Sequence, residues 1–283
     1  MENKAIRKFD SLIISSRRNP LVKRLRSLQS KKGRDEYSML LLEGTNLLKE
    51  ALKTNFVPAE IVSTSSWLEK HSELLKTFSE QIHIHEVTES VLDFALSTQS
   101  PDGVASLFSL SGLPSLPIDP NYILALDRLQ DPGNLGSLFR TALSADINMI
   151  WLGSGVDPLS QKVIRASAGS ILHLPYERLG NNEDQGIKLL IEKLEEVSRR
   201  GFQIVGTCIP FKENPKNILP YWQIDWCKPT VLVLGNEGSG LHPEIQSRCT
   251  QLVTLPHNIS VESLNVAAAA VPLLLERRRV KMI

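Results

Sequence analysis

Short apolar runs broken by polar turns recur along the whole chain, and their character changes partway. In the first hundred residues the runs are brief and mixed. Apolar positions at helical spacing predict helices over 21–28, 45–52 and 91–96. Compact apolar runs predict strands over 38–42, 60–63, 82–87 and 103–110. After residue 120 the strands strengthen into near-continuous apolar stretches over 122–126, 149–152, 203–207, 230–234 and 251–255. Runs of that kind belong to a parallel sheet covered on both faces. Helical patterns lie between them, the clearest over 184–200, and a last helix is expected over 264–279. Between the two parts, residues 111–120 hold three prolines and a glycine, which suit neither a helix nor a central strand. The expected organisation is a small N-terminal α/β domain over 1–110, a linker over 111–120 and a larger α/β domain over 121–283.

A chain of 283 residues can bury two cores. No stretch approaches the apolar length of a membrane span. Cys208, Cys227 and Cys249 are odd in number and widely spaced, so they predict neither a disulfide framework nor a metal site and suit a reducing compartment. The cytoplasm is the expected location. Ser11, Ser15 and Ser16 in a basic stretch leave an organelle address open.

Net charge is only +1, but it is unevenly spread. Between Met1 and Arg34 eleven basic residues face only Glu2 and Asp10, leaving an acidic remainder. A basic lobe on an acidic body is an electrostatic footprint for nucleic acid, although a solvated helix face reads the same way.

Three polar segments follow apolar strands, where α/β proteins place ligand-binding groups. The first runs from Asp127 through Asn134-Leu-Gly136-Ser-Leu-Phe-Arg140. Asn134 and Arg140 are nearly two helical turns apart and could share a face; a capping Asn and a solvated Arg are the ordinary alternative. The second is Gly235-Asn236-Glu237-Gly238-Ser239-Gly240. Its glycines let backbone approach a ligand, but their spacing is neither a dinucleotide fingerprint nor a P-loop. Gly153-Ser-Gly155 reads as a plain loop. The third reaches from Leu255 to Ser263-Leu264-Asn265-Val266, where Ser263 can cap the last helix.

Taken together and in this order, the three segments resemble the SpoU/TrmH family of RNA ribose 2′-O-methyltransferases in the SPOUT class. Asn19-Pro20, Leu40-Leu-Leu-Glu43-Gly44 and Ser100-Pro-Asp-Gly103-Val-Ala105 are similar to that family's substrate-binding domain. The resemblance implies a mainly parallel sheet with a deep trefoil knot, a homodimer, no metal, and S-adenosylmethionine as methyl donor. It assigns catalysis to Arg140, Asn134, Glu237, Ser263 and Asn265, and cofactor binding to Gly235, Asn236, Gly238, Leu255 and Leu264. It further implies an RNA substrate, ribosomal RNA in preference to transfer RNA. The chain departs from the family pattern at His257, where Met is usual, and at Ile259, where Gly is usual. A non-catalytic RNA-binding or ribosome-assembly protein on the same fold is the alternative function, and cofactor binding separates the two.

Overall fold

The computed structural model describes residues 12–76, 78, 82–208, 218–258 and 260–282. Lys4, Arg7, Lys8, Ser11 and Ile259 therefore lie outside the described residues. In chain order the first elements are α1 (Pro20–Leu28), α2 (Lys31–Tyr37), β1 (Met39–Glu43), α3 (Thr45–Lys53), β2 (Glu60–Ser63), α4 (Ser65–Lys70), α5 (Ser72–Lys76), β3 (His83–Glu86), α6 (Glu89–Ala95) and β4 (Val104–Ser109). Then come β5 (Tyr122–Leu126), α7 (Pro132–Ser144), β6 (Met149–Leu152), α8 (Gln161–Ala166), β7 (Tyr176–Arg178), α9 (Glu183–Arg199), β8 (Gln203–Thr207), β9 (Ile218–Pro220), β10 (Thr230–Leu234), α10 (Pro243–Gln246), β11 (Gln251–Thr254) and α11 (Val266–Lys281).

The chain forms two units, Met1–Leu113 with Leu159–Leu172, and Pro114–Pro158 with His173–Ile283. The first holds a four-stranded sheet in the order β1-β4-β2-β3, with only β2 and β3 parallel. Helix α1 buries Leu21, Val22, Leu25 and Leu28, the apolar stripe its sequence spells, in a core with Leu41, Val62, Val91 and Leu107. Asn19 caps that helix by accepting from the Leu21 amide at 2.9 Å. Arg34, part of the basic run, is buried instead of exposed: its Nη1 donates to the Leu28 and Gln29 carbonyls at the C-terminal end of α1. Residues 159–172 pack in this unit although the sequence places them far downstream. Gln161 donates to the Leu41 carbonyl at 2.9 Å, and Arg165 donates to Ser97 Oγ at 2.8 Å and to buried Glu43 at 3.2 Å.

The second unit is a seven-stranded, all-parallel sheet in the order β7-β6-β5-β10-β8-β11-β9. Its central strands are buried along their full length, as their unbroken apolar sequences require. Helix α9 seals one face through Ile187, Leu190, Leu194 and Val197. Gly153-Ser-Gly155 is more than a plain loop. A Cβ on Gly155 would fall 2.0 Å from the Leu129 carbonyl oxygen, and Gly155 has φ +109°. The basic end of α11 is built into the fold. Arg277 is buried, stacks 4.5 Å from the Tyr122 ring centroid and donates to the carbonyls of Asn121 and Lys228. Among the described residues no helix is long and apolar enough to cross a membrane, and no group of His, Cys, Asp and Glu has metal-site geometry.

Candidate active site

Strands β5 and β10 are parallel neighbours, with Leu126 opposite Leu234. The three polar segments leave the carboxyl ends of β5, β10 and β11, and β8 lies between the last two. They meet at the sheet edge where open parallel α/β sheets bind ligands.

The turn after β10 is closed by Asn236 and Gly240, which exchange backbone hydrogen bonds at 3.0 Å in both directions. A Cβ on Gly235 would lie 2.2 Å from the Gly240 carbonyl carbon, so only glycine fits there. Asn236 Oδ1 accepts from the Gly238 and Ser239 amides at 2.9 and 3.0 Å, while its Nδ2 donates to the Arg128 carbonyl at 2.9 Å. Its side chain thus braces the turn.

Asp127 and Arg128 hold this turn against the end of β5. Buried Asp127 accepts from Arg128 Nε at 3.0 Å and from the His242 amide at 2.8 Å, and Arg128 reaches Glu183 at 3.0 Å. The hydrogen bond to Asp127 is the main reason the guanidinium pKa of Arg128 is raised further. Arg128 also takes a left-handed backbone, φ +55°. Residue pattern alone assigned this pair no role, though adjacent opposite charges directly after a central apolar strand were a usable signal.

Above the turn, Glu237 Oε1 accepts from the Asp131 amide at 3.0 Å and from Asn134 Nδ2 at 3.2 Å. Asn134 Oδ1 in turn accepts from Asn265 Nδ2 at 2.8 Å. Asn265 Oδ1 accepts from the Ala267 and Ala268 amides at 2.9 and 3.1 Å. The cap of the last helix is therefore Asn265, and α11 begins at Val266, two residues later than the sequence suggested for a Ser263 cap. Likewise Asp131 caps α7, accepting from the Asn134 amide at 2.7 Å, which frees the Asn134 carboxamide for the site.

Arg140 is not gathered into this cluster. Six residues along a helix turn it about 120° away from Asn134, so the two do not share a face. It is exposed, and among the described residues its side chain has no hydrogen bond or ion pair.

The cleft beside the cluster is lined by Gly235, Asn236, Glu237, Gly238, Leu255, Ser263 and Leu264, and also by Thr207, Cys208 and His257. The last three were not anticipated as site residues. His257 Nδ1 lies 2.8 Å from the Leu255 carbonyl oxygen, which can only accept, so that nitrogen carries the proton. Two features test whether S-adenosylmethionine suits this cleft. Neither Ser263 nor Leu264 makes a hydrogen bond among the described residues, and Leu264 stays 39% exposed, leaving backbone donors and acceptors beside an uncovered apolar wall. Glu237 is the carboxylate among the lining residues, matching a cationic sulfonium. An apolar wall with free backbone groups suits an adenine ring, and the residues fit the cofactor.

Fold and cleft are those of a SPOUT-class methyltransferase that uses S-adenosylmethionine. Residues 121–274 match the SpoU rRNA methylase family, residues 19–106 match the MRM3-like substrate-binding domain, and the chain belongs to the SpoU family. It is 39% identical over 273 residues to an uncharacterised tRNA/rRNA methyltransferase of Synechocystis, covering 95% of this chain and 94% of that one. It is 28% identical to the Bacillus subtilis 23S rRNA (guanosine(2553)-2′-O)-methyltransferase RlmP, covering 91% and 95% respectively. Among solved structures, an AdoMet-bound rRNA methyltransferase from Sinorhizobium meliloti superposes with a TM-score of 0.77 at 31% identity, covering 95% of this chain and 98% of that one.

Proposed function

We propose that this enzyme methylates a ribose 2′-hydroxyl in ribosomal RNA, as a cytoplasmic homodimer whose cofactor cleft lies in a trefoil knot. The observation that carries the reading is the Glu237–Asn134–Asn265 chain of hydrogen bonds at the mouth of the glycine-walled cleft. The RlmP relative, named for ribosomal RNA, supports that substrate over transfer RNA.

S-adenosylmethionine supplies an activated methyl group on a sulfonium. Gly235, Gly238, Leu255 and Leu264 hold it, with Asn236 keeping their turn in shape. Asn134 and Asn265 orient the ribose, and Glu237 fixes the Asn134 carboxamide. Ser263, with its hydroxyl unengaged among the described residues, adds a contact at the same mouth. A 2′-hydroxyl needs stabilisation as negative charge develops on its oxygen. A guanidinium stays charged at any working pH, so Arg140 serves by charge placement and not as a base.

Arg140 stands away from the cluster of its own chain, which supports its acting in the cleft of a partner subunit. Leu264, Val261 and Val271 leave apolar side chains 39%, 43% and 41% exposed on α11 and the loop before it, a surface suited to self-association. The test is transfer of radiolabelled methyl to total bacterial RNA. Label at an alkali-resistant linkage in ribosomal RNA, absent with Arg140→Ala, is expected. Label confined to transfer RNA would move the substrate, and no transfer with no cofactor binding would favour a non-catalytic RNA-binding protein.

A further inference from the structure

Several cations among the described residues are paired with carboxylates. Arg24 pairs with Glu60, Lys31 with Asp35, Arg248 with Glu195 and Arg278 with Asp146. One patch of the first unit also carries cations without such a partner. Residues 12–34 hold eight basic residues and no acidic one. Among the described residues Arg17, Arg18, Lys23 and Arg26 have no carboxylate partner.

Two of these guanidinium groups converge on one ring. Arg26 lies 4.4 Å and Arg17 4.9 Å from the centroid of Phe94. Arg26 is also fixed in direction, because its Nη1 donates to the Phe94 carbonyl at 3.0 Å. Phe94 is partly buried against the core containing Val91 and Leu92, so the ring is anchored. Two like charges drawn to one ring repel each other, and no carboxylate among the described residues offsets that repulsion. The arrangement leaves two flat cationic groups beside an anchored ring, with no carboxylate partner among the described residues.

We propose that Arg17, Arg26 and Phe94 form a stacking platform for unpaired bases of RNA, with Arg18 and Lys23 neutralising the adjoining phosphates. Unpaired bases expose π faces that stack on aromatic rings and guanidinium planes, whereas a duplex hides them. An acidic peptide would match the charge but would make no use of the ring and the planar groups beside it. The proposal rests on the RNA-methyltransferase reading and names residues through which the first unit takes unpaired bases.

The test uses the full chain and two fluorescent RNA probes, an unstructured strand of about 12 nucleotides and a duplex of similar length. Arg17→Lys/Arg26→Lys keeps the charge but removes both planar groups. It is expected to weaken single-strand binding about tenfold while changing duplex binding little. Arg18→Ala/Lys23→Ala should instead flatten the salt dependence by about 0.7 for each phosphate that is no longer neutralised. A wild-type melting profile by circular dichroism would confirm that the variants are folded. Wild-type affinity in both variants would overturn the platform and leave the methyltransferase reading intact. Equal losses on strand and duplex in the lysine variant would overturn the preference for unpaired bases. A wild-type chain that binds neither probe and methylates no RNA would instead remove the reading beneath the proposal.

Discussion

Asn265 donates its side-chain amide to the Asn134 carbonyl at 2.8 Å across 131 residues of sequence. The direction of this bond is fixed at one end. Asn265 Oδ1 is taken by two amides of the α11 cap, so its Nδ2 must face Asn134. Asn134 then presents its oxygen to Asn265 and its Nδ2 to Glu237. Exchanging O and N at either Asn would break hydrogen bonds at both ends, which is how such orientations are assigned.

Removing the middle member should therefore disable the site. Asn134→Ala is expected to lower kcat by about 100-fold, in the range typical for losing a positioned polar group, with cofactor affinity within about threefold. Asn265→Ala should also lose the helix cap, about 1 kcal/mol of stability. Because they act in one network, the double variant should lose far less activity than the product of the single losses. Full additivity in that kinetic cycle would show that the two side chains act independently.

Subunit mixing tests the placement of Arg140. Arg140→Ala should melt at the wild-type temperature, since the side chain has no partner among the described residues, yet turn over orders of magnitude more slowly. Mixed with a cleft-dead Gly235→Asp variant, it should recover roughly a quarter of wild-type activity through random pairing of protomers. No recovery from properly mixed dimers would place Arg140 in its own cleft.

Gly235→Ala should abolish cofactor binding more than it lowers stability. Its new Cβ would sit 2.2 Å from the Gly240 carbonyl carbon, so the turn must open to accept it. Calorimetry with S-adenosylmethionine is expected to show at least a tenfold loss of affinity, about 1.4 kcal/mol. Tight binding by a folded Gly235→Ala variant would mean that the turn does not shape the pocket.

The large sheet was legible because strands such as 122–126 and 230–234 are apolar throughout, and only burial on both faces accommodates such runs. Short elements were harder: β7 and β9 have three residues each, too few to establish a period. The candidate site was legible in its residue identities and less so in their geometry. Glu237, Asn134 and Asn265 converge, but the pairing follows from which carboxamide atoms the caps consume. Asp131 and Asn265 took the caps that residue type alone allowed Asn134 and Ser263. Arg140 could be placed only by the angle between two positions on α7. The packing of residues 159–172 in the first unit had no local sign, because Gln161 and Arg165 read as ordinary helix residues.

The first unit carries an acid-sensitive contact at Glu60. Its carboxylate accepts from His85 Nε2 at 2.8 Å and pairs with Arg24. The His85 hydrogen bond, aided by Arg24, outweighs burial and lowers its pKa from 4.5 to about 2. A carboxyl group more acidic in the folded than the unfolded chain stabilises the fold fully above the unfolded value. That contribution fades as pH falls from about 4.5 through about 2. Allowing for the partial exposure of the pair, it is worth on the order of 2 kcal/mol. Replacing the partner by His85→Leu should move the Glu60 titration upward toward the ordinary carboxylate range and start the acid loss of the first unit at higher pH. Carboxyl-carbon NMR of Glu60, with amide exchange of β2 and β3 followed over the same pH range, reads both effects. A Glu60 midpoint near 4.5 in the wild-type chain would remove the contact from the acid response.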